Sequence, residues 1–460
     1  MFDNSLKKKL FGLLKSPQML LVGGFAGVIL LGSLLLSLPW AHQSGPLRYL
    51  DALFTSTSAV CVTGLIVVDT GTAYTLFGQI VILMLIQTGG LGVMTFAALI
   101  FQMLGRRLSL QSQAVLHDSF FQRDLGSDFK RIFGHILLTT ITIEALGALL
   151  IFLALWGRTE DLGGSFYSSI FHSVSAFCNA GFSIYKNSLI EVRDSELVII
   201  TIMLLIITGG LGYGVLLELW RSCRYGLGWG ARQGSGHLLS VHARVVLWTS
   251  SVLIVAGTLG LLVLGLTAEV HSWSEKILDA LFQSVTARTA GFNTIQIGWL
   301  PFGSLFLIAM LMFIGGSPGS CAGGIKTTSF AIWLAEFRAR LRGEAEVRIL
   351  DRRLPWEILW RNTLLIRLAV VWNLMGILIL LATEGLQPGV GMQEVVFEQI
   401  SAFGTVGLST GLTEKLSDFG RLWIIATMFV GRVGPLTLAI WILPEKHVPV
   451  RYPVGKVMIG

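Results

Sequence analysis

The sequence predicts an all-α polytopic membrane protein, a single membrane domain over residues 1–460 built from four related quarters. Composition is the first sign: 53% of the residues are hydrophobic and 13% charged, with a mean hydropathy of +0.72, whereas soluble domains carry about 25% charged residues. Long apolar runs are the second, because about 20 helical residues cross the hydrocarbon core. Residues 19–38 form one and residues 364–382, interrupted only by Arg367, form another. The third is an internal repeat. SAVCVTGLI (58–66), SAFCNAGFS (175–183), VTARTAGFN (285–293) and SAFGTVGLS (401–409) share a small residue followed six positions later by glycine, then by Leu or Phe.

Each quarter reads in the same order. In the first, 18–104, the apolar run 18–40 is too long for a signal-peptide h-region, and no small-x-small site follows it before PWAHQ, so it is read as a retained helix. The glycine segment comes next, then a run over 74–104 carrying QTGGLG (87–92). The second quarter, 131–224, has runs at 131–157 and 195–224, the latter with TGGLGYG (208–214). In the third, 241–342, the runs are 241–267 and 302–342, with GGSPGSCAGGIK at 315–326. The fourth, 361–444, has runs at 361–383 and 418–444, with GRVGPLT at 431–437, and a tail follows over 445–460. Ten residues before the segment glycines Gly64, Gly181, Gly291 and Gly407 stand Phe54, Phe171, Leu281 and Phe397. DALF recurs at 51–54 and 279–282, one residue nearer its glycine the second time.

Basic residues set the topology. Placing the N-terminus, 105–131, 220–244, 336–367 and the C-terminus on one side gathers most of the 34 Lys and Arg there. Both termini and the tail are then cytoplasmic, eight helices span, and the four segments open to the outside. The net charge of +7 is thereby a topology signal, and no nucleic acid is needed to explain it. Membrane lipid is the surrounding partner.

About ten helix-compatible residues precede each segment, as at 51–59 and 392–402, enough for a half-helix that enters the bilayer and stops. The segment must return as non-helical backbone, which survives at that depth only inside protein or along a water-filled path. Four copies imply four pore half-helices and a ring around a central pore, a K+ channel-like plan. Glycine admits φ > 0, so successive carbonyls can face inward and replace the hydration shell of a monovalent cation. Each half-helix turns its negative C-terminal end toward the axis. No ring of Asp or Glu stands at the matching positions, which favours K+ over a divalent ion. The candidate filter is Val62, Thr63, Gly64; Asn179, Ala180, Gly181; Thr289, Ala290, Gly291; and Thr405, Val406, Gly407. K+ is bound at these carbonyls only.

On these motifs the chain resembles the Trk/Ktr/HKT superfamily of cation transporters, over nearly its whole length. With eight spans starting near the N-terminus it looks most like the Ktr branch, the membrane subunits of bacterial Ktr systems. The resemblance implies K+ uptake, a homodimer in the bacterial inner membrane, and a separate cytoplasmic ring of nucleotide-binding RCK subunits. It also implies Na+ as activator or co-ion, and Gly64 rather than serine at the first filter glycine favours K+. No repeat reads TVGYG; Thr405-Val406-Gly407-Leu408 is nearest, so looser selectivity than that of a K+ channel is expected.

In the third quarter Pro318 with Gly315, Gly316, Gly319, Gly323 and Gly324 disfavours a continuous helix. The run before them, 302–314, is half a span, so the break falls near mid-membrane. A packing kink is the bland alternative. Irregular backbone at this depth must face protein or a cavity, which favours a gate, and the resemblance implies a mobile loop there, with Ser317 and Lys326 in it. Arg432, at equivalent depth, is by default functional: a structural ion pair, or the electrostatic barrier beside the loop that the resemblance implies. Arg288 is read as pinning the filter from behind. Glu144 is either a proton or Na+ site or a bond to a neighbouring helix.

The stretch YGLGWGARQGSGH (225–237) lacks G-x-G-x-x-G spacing and follows no strand, so it reads as a connector and not a phosphate loop. The four cysteines form no C-x-x-C pair and no H-E-x-x-H occurs, so no cofactor on the chain is expected. An enzyme is disfavoured, since no nucleophile–base constellation is visible. The alternative transport class is a Na+- or proton-coupled carrier of another solute, but such carriers show two related halves rather than four quarters.

Overall fold

The computed structural model describes residues 17–43, 45, 47–92, 129–158, 161–226, 239–265, 272–435 and 437. The basic N-terminal stretch 7–9, residues 93–104 of the first quarter, most of the connector 105–131, residues 227–237, most of 436–444 and the tail 445–460 lie outside the described residues.

The order of helices is α1 (Pro17–Leu36), α2 (Tyr49–Val60), α3 (Leu76–Leu91), α4 (Phe129–Leu155), α5 (Leu162–Phe177), α6 (Glu196–Leu211), α7 (Tyr213–Gly226), α8 (Val241–Leu264), α9 (Trp273–Thr286), α10 (Phe302–Phe313), α11 (Thr327–Leu341), α12 (Trp356–Glu384), α13 (Met392–Gly404) and α14 (Asp418–Val433). Among the described residues three helices are long and apolar enough to cross a membrane: Gly134–Leu155, Val241–Leu264 and Trp356–Glu384. Counting the bent pair α6 and α7 as one span makes four. Their outward stripes are apolar at helical spacing, as in Val252, Val255, Leu259 and Val263, all exposed.

Only the third quarter was expected to break its second helix. In the others the helix after the segment also stops early: α3, α6 and α14 end after 16 residues at Gly92, Gly212 and Gly434, with φ of +87°, +86° and +94°. At Gly212 the chain turns by 108°. The physical reason is the left-handed step that only glycine takes freely.

Short helices α2, α5 and α9 each lean on the helix before them through a repeated contact. Ser56 Oγ donates to Ile29 O at 2.7 Å, Ser173 Oγ to Glu144 O at 2.6 Å and Ser284 Oγ to Ile254 O at 2.9 Å. Opposite stand Gly32, Gly147 and Gly257, where a methyl would strike those serines, and Gly376, where it would strike Gln399. One register differs from expectation. The turn's amides are accepted at Ser58, Ser175 and Ser401, six residues before the glycine, but at Thr286, only five before Gly291, so Phe282 and not Leu281 takes the place of Phe54, Phe171 and Phe397. Phe282 is fully buried, whereas Leu281 is partly exposed. One further element was not foreseen in an all-α chain: strands β1 (Arg348–Ile349) and β2 (Arg352–Arg353) pair antiparallel between α11 and α12.

Candidate functional site

The four glycine segments start where the short helices stop. Amide groups turn back on the helix ends: Thr63 N to Ser58 O at 2.8 Å, Ala180 N to Ser175 O at 2.8 Å, Ala290 N to Thr286 O at 2.9 Å and Val406 N to Ser401 O at 2.9 Å. Two residues before each glycine the backbone is left-handed, at Val62 (φ +57°), Asn179 (+58°), Thr289 (+80°) and Thr405 (+50°). Such a conformation costs a non-glycine residue about 1–2 kcal/mol, and three of the four are β-branched. The glycines follow with φ of +90°, +71°, +78° and +94°. Four equal violations in register mean that the surrounding packing enforces one backbone path.

The segments also meet head to tail. A methyl built on Gly64 would strike Ala180 O, on Gly181 Ala290 O, on Gly291 Val406 O, and on Gly407 Thr63 O. The four glycines thus form a closed ring in chain order, each against the carbonyl of the next segment. Side chains of Thr63, Ala180, Ala290 and Val406 are fully buried behind it. All four glycines line one cavity of 430 Å³, whose wall is polar: Lys186, Asn293, Ser409 and Glu414 among others.

Against the opposite side of the ring lies the α10–α11 connection. Its backbone is tied across the molecule: Gly315 N to Ile325 O at 2.8 Å, Ser317 N to Gly210 O at 3.0 Å, Cys321 N to Gly209 O at 3.3 Å and Gly324 N to Gly431 O at 3.3 Å. A methyl on Gly323 would strike the Thr405 hydroxyl, and Gly319 and Gly324 have φ of +70° and +64°. Gly316 O accepts from Thr327 N at 3.0 Å. Gly212, beside the loop, would meet Pro318 O. Lys326 Nζ donates to Ala322 O at 2.5 Å. Arg432 bridges two elements, donating to Cys321 O in the loop and to Gly89 O in α3. Arg288 lies behind the third segment and donates to Ser250 Oγ at 3.2 Å, Ser250 O at 3.4 Å and Gly315 O at 3.4 Å. Glu144 accepts from Gln87 Nε2 of the neighbouring α3 at 3.3 Å.

Two buried polar residues beside the ring were not singled out from the sequence. His172 and Glu398 both lie nine positions before their glycines and both reach a serine two positions after it, Ser183 at 2.8 Å and Ser409 at 2.8 Å. The spacing was readable; the pairing was not, since it spans a turn whose path follows from the left-handed steps. No group of His, Cys, Asp and Glu that could hold a metal ion occurs among the described residues.

Apolar helices around a ring of backbone carbonyls between an open cavity and a glycine-rich loop define a membrane transport protein of small solutes. A family model described as "Cation transport protein" (TrkH) matches residues 26–447, and the chain belongs to that family, one of transporters and not enzymes. It is 37% identical over 449 residues to "Ktr system potassium uptake protein B" of Bacillus subtilis (strain 168), covering 96% of each chain. It is 36% identical over 455 residues to the protein of the same name in Vibrio alginolyticus, covering 96% of this chain and 95% of the other. "Potassium/sodium uptake protein NtpJ" of Enterococcus hirae is 33% identical over 455 residues, covering 97% of each. The crystal structure of the potassium transporter TrkH from Vibrio parahaemolyticus matches with a TM-score of 0.68 at 20% identity, over 92% of this chain and 85% of that one, and so shares the fold.

Proposed function

We propose that this chain is the membrane subunit of a potassium-uptake system, passing K+ through a ring of backbone carbonyls at Val62–Gly64, Asn179–Gly181, Thr289–Gly291 and Thr405–Gly407. The observation that carries the reading is the closed ring of four positive-φ glycines, each against the next segment's carbonyl. Carbonyls held this way substitute for water around a monovalent cation. Passage inward is driven by the membrane potential, about 2.3 kcal/mol per charge for each 100 mV. In this reading the four quarters 18–104, 131–224, 241–342 and 361–444 are helix–pore-loop–helix repeats. Eight spans cross the inner membrane, counting each broken helix with its continuation, and both termini are cytoplasmic.

The loop from Gly315 to Lys326 is the gate. Its backbone lies against Thr289 and Thr405 at the foot of the ring, and Arg432 latches it to α3 while adding positive charge to the path. A cytoplasmic ring of nucleotide-binding RCK subunits moves it, a second copy of the chain completes a homodimer, and Na+ acts as activator or co-ion. The names of the relatives support a potassium system of more than one component and a link to sodium: the B. subtilis and V. alginolyticus proteins are named as parts of a Ktr potassium system, and NtpJ is named for potassium and sodium.

The test is Rb+ uptake into proteoliposomes loaded with K+ or with Na+, holding the chain with and without the ring subunit. Uptake that prefers K+ and Rb+ to Na+, and loses that preference in Gly64→Ser, is expected. Flux indifferent to Gly64 would sink the filter assignment.

A further inference from the structure

The second and fourth segments, which face each other across the ring, end in the same device. Ser183 and Ser409 each stand two residues past a ring glycine and line the outer cavity. Each hydroxyl accepts a backbone amide two residues on, Tyr185 N at 3.0 Å and Gly411 N at 3.0 Å. Each also meets a fully buried polar side chain of its own short helix, nine residues before the glycine. In the fourth segment this is Glu398: Oε2 accepts from Ser409 Oγ at 2.8 Å and Oε1 accepts from Thr413 Oγ1. The Thr413 hydroxyl is 3.0 Å from that of Ser409.

In the second segment it is His172. Its Nδ1 lies 2.8 Å from Ser168 O, a carbonyl that can only accept, so Nδ1 carries the proton and Nε2 is the acceptor facing Ser183 Oγ at 2.8 Å. Tyr185 stacks on the imidazole with centroids 4.5 Å apart and bonds Ser168 through its hydroxyl at 2.7 Å, fixing the ring's plane.

The consequence is directional. An acceptor behind the hydroxyl pulls its proton away from the cavity, so the oxygen turns its negative end toward the ion path. The first and third segments lack the device. Ile66 and Asn293 hold the serine position, and the residues matching Glu398 are Thr55, bonded by Tyr74 at 3.1 Å, and Gln283, whose amide has no partner among the described residues.

We propose that Glu398 and His172 are positioning residues that orient the hydroxyls of Ser409, Thr413 and Ser183 as acceptors for the cation entering the ring, so that the mouth recognises a partly dehydrated K+ through two opposed sides. The inference rests on the filter reading above. It does not require either buried group to touch the ion.

The experiment is concentration-dependent Rb+ uptake in proteoliposomes for the parent, Glu398→Gln, Ser409→Ala, their double variant, Ser183→Ala and Gly64→Ser, with the ring subunit present. Glu398→Gln keeps the shape but puts an NH2 donor behind one hydroxyl, which reverses that hydroxyl's proton toward the cavity. The half-maximal Rb+ concentration is expected to rise about tenfold, the size of one good hydrogen bond in affinity, with maximal flux changed much less. Ser409→Ala, at a partly exposed position, should give the same shift, Ser183→Ala a comparable one, and the double variant no more than Ser409→Ala alone. A merely structural role for Glu398 would lower the maximal rate and the yield of folded protein while leaving the half-maximal concentration in place; that result overturns the proposal. So does an unchanged affinity in Ser409→Ala. If Gly64→Ser alters selectivity and these variants do not alter affinity, the inference fails alone; if Gly64→Ser is silent, the filter reading fails with it.

Discussion

Arg421 Nη1 lies 2.5 Å from Asp51 Oδ1, joining residues 370 positions apart. Asp51 opens the first short helix and Arg421 stands in the last helix, so the contact closes the fourth quarter onto the first. Arg193 Nη2 and Asp279 Oδ2, also 2.5 Å apart, close the second onto the third, with Thr294 Oγ1 completing the carboxylate at 2.9 Å. Asp51 and Asp279 are the repeated aspartates of the two DALF stretches, so a recurring sequence feature acquires a purpose: alternate seams of the ring are stapled by arginine.

The first prediction follows. Asp51 and Arg421 are nearly buried, with side-chain exposures of 10% and 13%. Removing one partner leaves the other charge without its counter-ion, which costs about 3 kcal/mol in such settings. Asp51→Asn and Arg421→Gln should each lower the midpoint of thermal unfolding in detergent, and the double variant should lose less than the sum. Additive losses, or none, would mean the pair holds nothing.

The second concerns the ring itself. At Gly181 a methyl would sit 2.7 Å from Ala290 O, and the backbone is left-handed at φ +71°. Gly181→Ala therefore has to displace a carbonyl of the neighbouring segment. Preference for Rb+ over Na+ should fall about tenfold, with the protein still folded by size-exclusion profile. A folded variant of unchanged preference would remove the second segment from the filter.

The third concerns the loop. Arg432 touches two carbonyls that belong to different elements, Cys321 in the loop and Gly89 in α3, and a planar guanidinium can bridge them where a lysine ammonium, a single point, cannot do so with the same geometry. Arg432→Lys and Arg432→Ala should both raise Rb+ flux in the absence of the ring subunit, by about tenfold for the alanine. The deletion 317–322 should do at least as much. Unchanged basal flux in all three would deny the loop a gating role.

How far these arrangements were legible in the sequence differs by element. The four segments and the short helices before them were readable, since glycine spacing and a ten-residue apolar lead survive in the local pattern. So was the third-quarter break, because Pro318 and its glycines leave a helix no continuous path. The breaks at Gly92, Gly212 and Gly434 were hidden: each lies in an apolar run whose hydropathy continues across it, and a glycine in such a run reads equally as a packing contact. Counting ten residues back from Gly291 lands on Leu281 and not on Phe282, because the third segment is one residue shorter than the others. His172 and Glu398 escaped because their partners lie across a turn, and the DALF aspartates because theirs lie on another quarter.

The fourth prediction tests a feature that pattern alone did not reveal. Gly32, Gly147, Gly257 and Gly376 stand at one position of the long first helices, and a methyl at any of them would overlap the short helix: at 2.5 Å from Ser56 Oγ, 2.6 Å from Ser173 Oγ and closer still at Ser284 and Gln399. The serines there also donate to the long helix one turn away, so the two helices cannot part without losing that bond. Overpacking of this kind costs about 1–3 kcal/mol per site. Gly147→Ala should lower the unfolding midpoint, and pairing it with Ser173→Ala, which removes the struck oxygen, should recover part of the loss. Because the short helix aims its end at the ring, the same single variant should also weaken Rb+ preference, and the pair should restore it only in part, since the tether to Glu144 O is gone. Loss of stability with selectivity intact would show that the ring is held by its own segment-to-segment contacts rather than by the helices behind it.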